Sequence, residues 1–155
     1  MLRLWRYYLD FALFPPLALG LALYDARSLG WVALCGLGIL IWTLAEYWTH
    51  RVILHGPLWH ATHERHHRVP REHVEIIWWY APLGFFLLFW LVPIAILVGL
   101  MLGYCVYLAM HHAAHHLPSS WLAANRRRHA HHHLLTRVNF GISSPLWDHV
   151  FRTAR

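Results

Sequence analysis

The apolar region from Ile76 to Met110 constrains the fold more than any other part of this sequence. A lipid bilayer offers the backbone no hydrogen-bond partners, so a chain that crosses it must be helical there or form a closed barrel. The region is longer than one helical span, which needs about 20 residues, and Pro93 interrupts it. We therefore predict a hairpin of two helices, at about 76–92 and 94–110.

Two more apolar segments precede this hairpin. Residues 29–48 provide about the 20 residues that a membrane-spanning helix requires. Residues 11–24 are shorter and contain Pro15 and Pro16, but no small-residue cleavage site follows them, so we expect a retained helix rather than a signal peptide. Together the segments predict an all-α integral membrane protein, with about four transmembrane helices in a single domain over residues 1–155.

The composition supports a membrane setting. Hydrophobic residues make up 58% of the chain and charged residues 13%, and there are 10 tryptophans, whose rings favour the membrane interface. The formal net charge of +6 would suit nucleic acid. However, the arginines flank apolar segments and histidine clusters, so we expect no nucleic-acid partner. Cys35 and Cys105 lie inside apolar runs, which predicts buried thiols rather than a disulfide.

The hairpin also predicts on which side of the membrane the histidines lie. It returns the chain to the side that it left, so His67 and His111 should face the same compartment. Most of the arginines fall on that side as well. The positive-inside rule then places a histidine-rich helical cap, residues 49–75 and 111–155, in the cytoplasm.

Many of the 16 histidines are spaced for metal binding. In the segment HERHH, three histidines stand at positions i, i+3 and i+4 of a helix and share one face; they are His63, His66 and His67. The segment HAHHH repeats this spacing at His129, His132 and His133. A lone helical histidine is usually a surface or hydrogen-bonded residue, but the repetition of the pattern favours ligands.

The segment HHAAHH contains two pairs at i, i+4 spacing, His111 with His115 and His112 with His116. The two pairs point about 100° apart around a helix. Only one of them can therefore face fully into a shared site.

His50 and His55 are five residues apart, which on a regular α-helix separates them by about 140°. They can converge only if the helix ends or loosens between them, and Gly56-Pro57 agrees with an ending there. We predict that both are ligands. Neutral imidazole suits iron, zinc, copper and nickel, and four clusters with about ten ligands exceed what one ion can take. The sequence thus predicts two metal ions.

Other titratable residues near the clusters leave alternatives open. Glu46, four residues before His50, either accepts the second ring N–H of an imidazole or only marks the end of a helix, and Asp148 could accept from an imidazole in the same way. His60 lies on the same helical stripe as His63 and stays ambiguous. We expect structural or interfacial roles for His73 and His149, and an orientation away from its neighbours for His131.

The histidine clusters and the C-terminal run together resemble a known family. The segments HRVILH, HERHH, HHAAHH and HAHHH, followed by NFGISSPLWDHVFRT, are similar to the fatty acid hydroxylase and sterol desaturase superfamily of integral-membrane di-iron oxygenases. The similarity runs from Glu46 to Thr153 and is specific, because the order and spacing of four histidine segments agree with the C-terminal run. HRVILHG and HHRVP are also similar to bacterial carotenoid ring hydroxylases, whereas the C-terminal run favours the first family.

The resemblance implies a fold, cofactors and ligands. The fold would be four transmembrane helices under a cytosolic cap that holds two iron ions, for which zinc can substitute in purified protein, with dioxygen as co-substrate. A membrane lipid would be the substrate. Because the chain shows no fused cytochrome b5 domain, a separate donor such as a ferredoxin or a cytochrome b5-like protein would supply electrons. The residues implied as metal ligands and as catalytic residues are His50, His55, His63, His66, His67, His111, His115, His129, His132 and His133.

We therefore expect an oxidoreductase that hydroxylates, or desaturates, a C–H bond of a lipid. Unactivated C–H bonds do not react with side-chain acids or nucleophiles, whereas reduced iron can use dioxygen to attack them. The alternatives are a carotenoid ring hydroxylase of the same chemistry and a non-catalytic membrane metal-binding protein. A metal transporter fits less well, because its ligands would lie along a path at the membrane midplane.

Overall fold

The computed structural model describes residues 4–72, 79–117, 120 and 122–155, and helices joined by turns and loops are the regular structure in these ranges, with no strand. This confirms the predicted all-α class. The helices are α1 (Leu4–Asp25), α2 (Leu29–Trp48), a π-helical turn (Thr49–Leu54), α3 (His60–Arg68), α4 (Tyr80–Phe89), α5 (Ile94–His116), α6 (Ala123–Leu134) and α7 (Leu146–Val150). Residues 76–78, where the third apolar helix was expected to begin, lie outside the described residues, as does His73.

Three of the described helical segments are long and apolar enough to cross a membrane, namely Trp5–Asp25, Leu29–Leu54 and Ile94–His116. Helix α4 is apolar but has only 10 residues, which corresponds to about 15 Å, half of a hydrocarbon core of about 30 Å. Exposed leucines support a lipid environment, since Leu23 and Leu29 are 80% and 89% exposed. Large apolar surfaces of this kind are not stable in water.

Two helix boundaries differ from the sequence prediction for a physical reason. Helix α1 begins at Leu4 instead of residue 11, because its first turns contain amphipathic aromatic residues, such as Tyr7 and Tyr8, that interrupt the apolar run without breaking a helix. Helix α5 continues to His116 instead of ending at residue 110. Histidine lowers hydropathy but is compatible with helical backbone, so the helix extends through the HHAAHH segment.

One compact unit consists of residues Met1–Trp42 and Glu75–Cys105. Its core contains Phe14 from α1, Cys35 from α2, Phe85 from α4, and Leu97 and Val98 from α5. The rings of Phe14 and Phe85 lie 4.8 Å apart. The unit is thus held together by apolar and aromatic contacts between four helices.

Two glycines allow close contact between α2 and α5 inside this unit. A Cβ atom added at Gly38 would lie 2.3 Å from the carbonyl oxygen of Ile96, and one added at Gly99 would lie 2.1 Å from that of Cys35. No side chain fits at either distance. Glycine at such crossings lets membrane helices pack backbone to backbone.

The second compact unit consists of Thr43–Val74 and Val106–Arg155. Its buried residues are mostly polar, and the buried polar residues among those described are Glu46, His50, His63, His66, Asn125, His129, His132, Asn139 and Asp148. Buried polar groups are costly unless they have partners. The interior of this unit must therefore be organised by specific polar interactions rather than by apolar packing.

Candidate metal centre

The π-helical turn after α2 brings His50 and His55 together. The backbone N–H of His55 donates to the carbonyl oxygen of His50 at 3.3 Å, an i to i+5 bond that is typical of the wider π-helical turn. The two rings lie 5.2 Å apart, with 26° between their planes. Of the two possibilities, that the helix ends or that it loosens between these residues, the structure shows the loosening, which removes the separation that an α-helix would impose.

The histidine side chains form two groups whose potential ligand atoms lie within 4.8 Å of one another. We call them the five-histidine group, which contains His50, His55, His63, His67 and His132, and the four-histidine group, which contains His66, His111, His115 and His129. Helices α3 and α6 each contribute to both groups, because their histidines at i, i+3 and i+4 point to one face but diverge slightly along it.

Within the five-histidine group, the Nε2 atom of His63 is surrounded by other imidazole nitrogens. It lies 3.0 Å from Nε2 of His50 and 3.1 Å from Nε2 of both His55 and His67. A ring nitrogen of a neutral histidine makes one hydrogen bond, as donor or as acceptor, so hydrogen bonding cannot satisfy three such contacts. Two nitrogens that bind one ion at about 2.1 Å and at right angles are about 3.0 Å apart, so the group fits a shared cation.

The four-histidine group has the same character. Nε2 of His111 lies 3.0 Å from Nε2 of His66, and Nε2 of His115 lies 2.7 Å from Nε2 of His129. This group joins the end of α5 to α3 and α6. Of the two alternatives in HHAAHH, the pair His111 and His115 enters a group. His112 stacks on His116 with a ring separation of 4.7 Å, outside both groups.

His133 is the one predicted ligand that lies in neither group. Its Nε2 atom is 3.1 Å from Nε2 of His129, in the four-histidine group. Its ring also stacks on that of His67, in the five-histidine group, at 4.3 Å. The structure therefore places all ten predicted residues in one cluster, with His133 between its two halves.

Backbone carbonyls set the tautomers of two imidazoles in the five-histidine group. Nδ1 of His50 lies 2.6 Å from the carbonyl oxygen of Phe140, and Nδ1 of His132 lies 2.7 Å from that of Val138. A carbonyl oxygen only accepts hydrogen bonds, so each Nδ1 carries the proton. The Nε2 atom of each ring then presents a lone pair, as a metal ligand requires.

Burial favours the neutral form of several imidazoles outside the membrane-spanning segments. It lowers the pKa of His55 to about 4 and that of His132 to about 3, from an ordinary value of 6.5, and neighbouring histidines lower both further. Burial is also the main cause that lowers the pKa of His133 to about 3. Protonated imidazole cannot bind a metal, so the lowered pKa values leave the ligands available at neutral pH.

The two carboxylates near the site do not act as the sequence suggested. Both ring nitrogens of His50 contact other atoms, Phe140 O and His63 Nε2, whereas Glu46 accepts hydrogen bonds from the backbone N–H groups of Ile142 and Ser143. Asp148 similarly accepts from backbone N–H groups. Sequence reasoning missed the carbonyls of residues 138 and 140, because backbone groups have no signature in a sequence.

Among the described residues, the remaining histidines lie apart from both groups. His60 is exposed and lies 3.7 Å from the Glu64 carboxylate. Nδ1 of His131 is 3.4 Å from the side-chain nitrogen of Asn139. His149 is exposed. The exposure of His149 agrees with the structural or interfacial role expected for it, and His60, which the sequence left ambiguous, lies outside both groups.

Each of the two groups could hold a metal ion. The potential ligands are imidazoles alone, which suit iron, zinc, copper and nickel better than the hard cations magnesium and calcium. Several of the rings are buried, and carbonyl groups orient two of them. Such a site can bind redox-active metals in a partly buried environment.

Comparisons with known proteins show the family of this chain. The model of the family described as fatty acid hydroxylase matches residues 35–153. A dihydroceramide fatty acyl 2-hydroxylase of Arabidopsis thaliana is 34% identical, over 76% of this chain and 58% of the relative. A fatty acid 2-hydroxylase of Macaca fascicularis is 30% identical, over 96% of this chain and 48% of the relative.

A solved structure has a similar fold. It is described as full-length scs7p with only the hydroxylase domain visible, and it matches with a TM-score of 0.78 and 25% identity, over 96% of this chain and 66% of that chain. The chain spans about half the length of the curated relatives that it matches.

Proposed function

Because this chain belongs to the fatty acid hydroxylase family, we propose that it is a membrane-bound oxygenase that hydroxylates the acyl chain of a lipid at a di-iron centre. The observation that carries this proposal is the division of the histidines into two groups, each with potential ligand atoms within 4.8 Å of one another. Two such groups in an apolar, helical protein match a reaction that needs a redox metal and a hydrocarbon substrate.

In the proposed reaction a C–H bond of the acyl chain becomes a C–OH bond. One oxygen atom of dioxygen enters the product and the other leaves as water, with two electrons from an external donor and two protons from solvent. Iron bound by these imidazoles supplies the oxygen activation that an unactivated C–H bond requires. The five histidines of the five-histidine group would bind one iron ion. The members of the four-histidine group, together with His133, would bind the second.

The protein residues would provide orientation and a constant protonation state. His50 and His132 are held by backbone carbonyls, so their Nε2 lone pairs point into the group without a rearrangement when metal binds. His63 is buried, and burial also lowers its pKa. Fixed, neutral ligands favour a site whose geometry is already formed before the metal and the substrate arrive.

The position of hydroxylation follows from the relatives. Those named above are described as 2-hydroxylases of fatty acyl chains, so we propose that the second carbon of an acyl chain is the target. Desaturation begins with the same hydrogen abstraction, and product analysis separates the two outcomes. These relatives favour an acyl substrate over a carotenoid ring.

The donor and the orientation belong to the proposal as well. We propose that a separate ferredoxin or cytochrome b5-like protein delivers the electrons. The arginines that flank the histidine segments, such as Arg51, Arg65 and Arg126, favour a cytoplasmic location of the metal centre by the positive-inside rule.

The test uses isotope-labelled dioxygen. The full chain is purified anaerobically in mild detergent, loaded with iron, and supplied with a reductase and ferredoxin, an acyl lipid and labelled dioxygen, and the product is analysed by mass spectrometry. We expect one labelled oxygen atom at the second carbon. The matched control is a His63→Ala, His66→Ala double variant, which should give no product.

Several results would contradict this function. Oxygen derived from water, or equal product from the double variant, would rule out the proposed oxygenase. Binding of metal without turnover of acyl lipids, sterols or carotenoids would favour a non-catalytic metal-binding protein instead.

A further inference from the structure

Two buried carboxylates hold one backbone segment, residues 138–143, which we call the 138–143 loop. Oδ1 of Asp148 accepts from the N–H of Phe140 at 2.8 Å, and Oδ2 accepts from the N–H of Gly141 at 2.9 Å. Oε1 of Glu46 accepts from the N–H groups of the next two residues, Ile142 at 2.6 Å and Ser143 at 2.9 Å. Four consecutive N–H groups of the loop therefore donate to carboxylates.

The same loop contacts the five-histidine group with its carbonyl oxygens. Those of Phe140 and Val138 lie 2.6 Å from His50 Nδ1 and 2.7 Å from His132 Nδ1, respectively. At Phe140 the two contacts share one residue, because its N–H donates to Asp148 and its C=O accepts from His50. The position of the imidazole thus depends on a backbone segment that the carboxylates hold.

The carboxylates lie deep enough for these bonds to matter. Glu46 is 5% exposed and Asp148 is 0% exposed. A buried carboxylate is costly unless several donors stabilise it, and backbone N–H groups in this loop provide them. Arg128, which donates to the carbonyl oxygen of Gly141, adds a positive charge to the same segment.

The four-histidine group lacks this support at two of its members. Nδ1 of His66 and Nδ1 of His129 are buried and have no hydrogen-bond partner. Neither ring is therefore oriented by a carbonyl of the 138–143 loop. In the five-histidine group Nδ1 of His67 is also without a partner, so the contrast between the groups is that the loop orients two imidazoles of the five-histidine group, those of His50 and His132.

From this contrast we propose that Glu46 and Asp148 are positioning residues, which set the metal affinity of the five-histidine group through the 138–143 loop while leaving that of the four-histidine group unchanged. The inference rests on the proposed function in one respect, that each group binds a metal ion. Residues that orient metal-bound imidazoles typically change metal affinity by about 10- to 100-fold when substituted. We expect an effect of this size on one ion only.

The experiment measures two binding events separately. Metal-free full-length protein in detergent is titrated with cobalt(II), whose absorption spectrum reports binding. The variants His50→Ala and His66→Ala identify which event belongs to which group. Glu46→Gln and Asp148→Asn are then titrated in the same way, since each change retains the shape of the side chain and removes its negative charge. Asp148→Asn also leaves one of the two backbone N–H groups without its acceptor, and Glu46→Gln replaces the oxygen that accepts from the Ser143 hydroxyl.

The expected result is selective. The event that His50→Ala abolishes should weaken by about 10- to 100-fold in both variants, and the other event should change by less than about twofold. Glu64→Gln is the matched control, because Glu64 is an exposed carboxylate that pairs with an arginine. Its Oε2 atom lies 3.4 Å from Nη2 of Arg68. It should leave both events unchanged.

A milder variant keeps the test decisive if the buried substitutions impair folding. Ser143→Ala removes only the hydroxyl that donates to Glu46 and should weaken the same event to a smaller extent. The inference would be overturned if, in monodisperse protein, the Glu46 and Asp148 variants weakened both cobalt binding events equally or changed neither. Absence of any cobalt binding by the unmodified protein would instead overturn the proposed function, and this inference with it.

Discussion

The Nε2 atoms of His133 and His129 lie 3.1 Å apart, one helical turn from each other in α6. This contact attaches His133 to the four-histidine group, although its ring stacks on that of His67 in the other group. We expect His133→Ala to lower the metal affinity of the four-histidine group by about 10-fold or more, because a ligand is lost there.

The affinity of the five-histidine group should fall less in this variant, since it loses only a ring contact. Cobalt(II) titration against the His50→Ala and His66→Ala references measures both. A larger loss in the five-histidine group would reassign His133 to that group.

A single substitution at His63 should remove one ion. Its Nε2 atom contacts three other imidazole nitrogens of the five-histidine group, so His63→Ala should lower the metal content from about two ions per chain to about one. Elemental analysis of the purified protein gives the ratio. His60→Ala is the matched control on the same helix, because His60 is exposed, and unchanged metal content in His63→Ala would contradict the site.

Acid should destabilise the metal-free protein. The pKa of His55 is about 4 and that of His132 about 3 in the folded protein, against an ordinary value of 6.5. Between these values the unfolded chain binds more protons than the folded one. The contribution of these histidines to the free energy of unfolding is therefore complete above about pH 7 and decreases as the pH falls.

Melting temperatures test this prediction. We expect a decrease of several degrees between pH 7 and pH 5 for metal-free protein and a smaller one for zinc-loaded protein, since bound metal stabilises the folded state. A pH-independent melting temperature of the metal-free protein would contradict neutral, buried ligands.

Because α2 and α5 are in close contact, we expect a side chain at Gly99 to destabilise the protein. A Cβ atom at Gly99 would lie 2.1 Å from the Cys35 carbonyl oxygen, whereas one at Gly36 would have no atom within 4 Å. Overpacking of a core typically costs about 1–3 kcal/mol. Gly99→Ala should therefore lower the melting temperature by several degrees in detergent, and Gly36→Ala should not; similar values for the two variants would disprove the tight crossing.

The sequence was most informative where a local spacing determines the structure. The i, i+3, i+4 patterns of α3 and α6 place their histidines on one face whatever the rest of the chain does. The long apolar runs likewise required helices. The division of His63 and His66 between two groups was not predictable, because it depends on how neighbouring helices pack.

The roles of Glu46 and Asp148 were beyond sequence reasoning for a related reason. Glu46 and its partner Ile142 are 96 positions apart, and their contact exists only once the 138–143 loop has folded against α2. Proximity to His50 in sequence suggested a direct contact between side chains. The structure instead inserts a backbone segment between carboxylate and imidazole, which no spacing rule describes.

The π-helical turn at Thr49–Leu54 has a consequence for protein engineering. A π-turn is rarer than an α-helical one and often occurs at functional sites, so a design procedure that favours regular backbone would replace it with an α-helix. His50 and His55 would then diverge by about 140°. The irregularity should be kept as part of the site, and stabilising redesign should be directed at other helices.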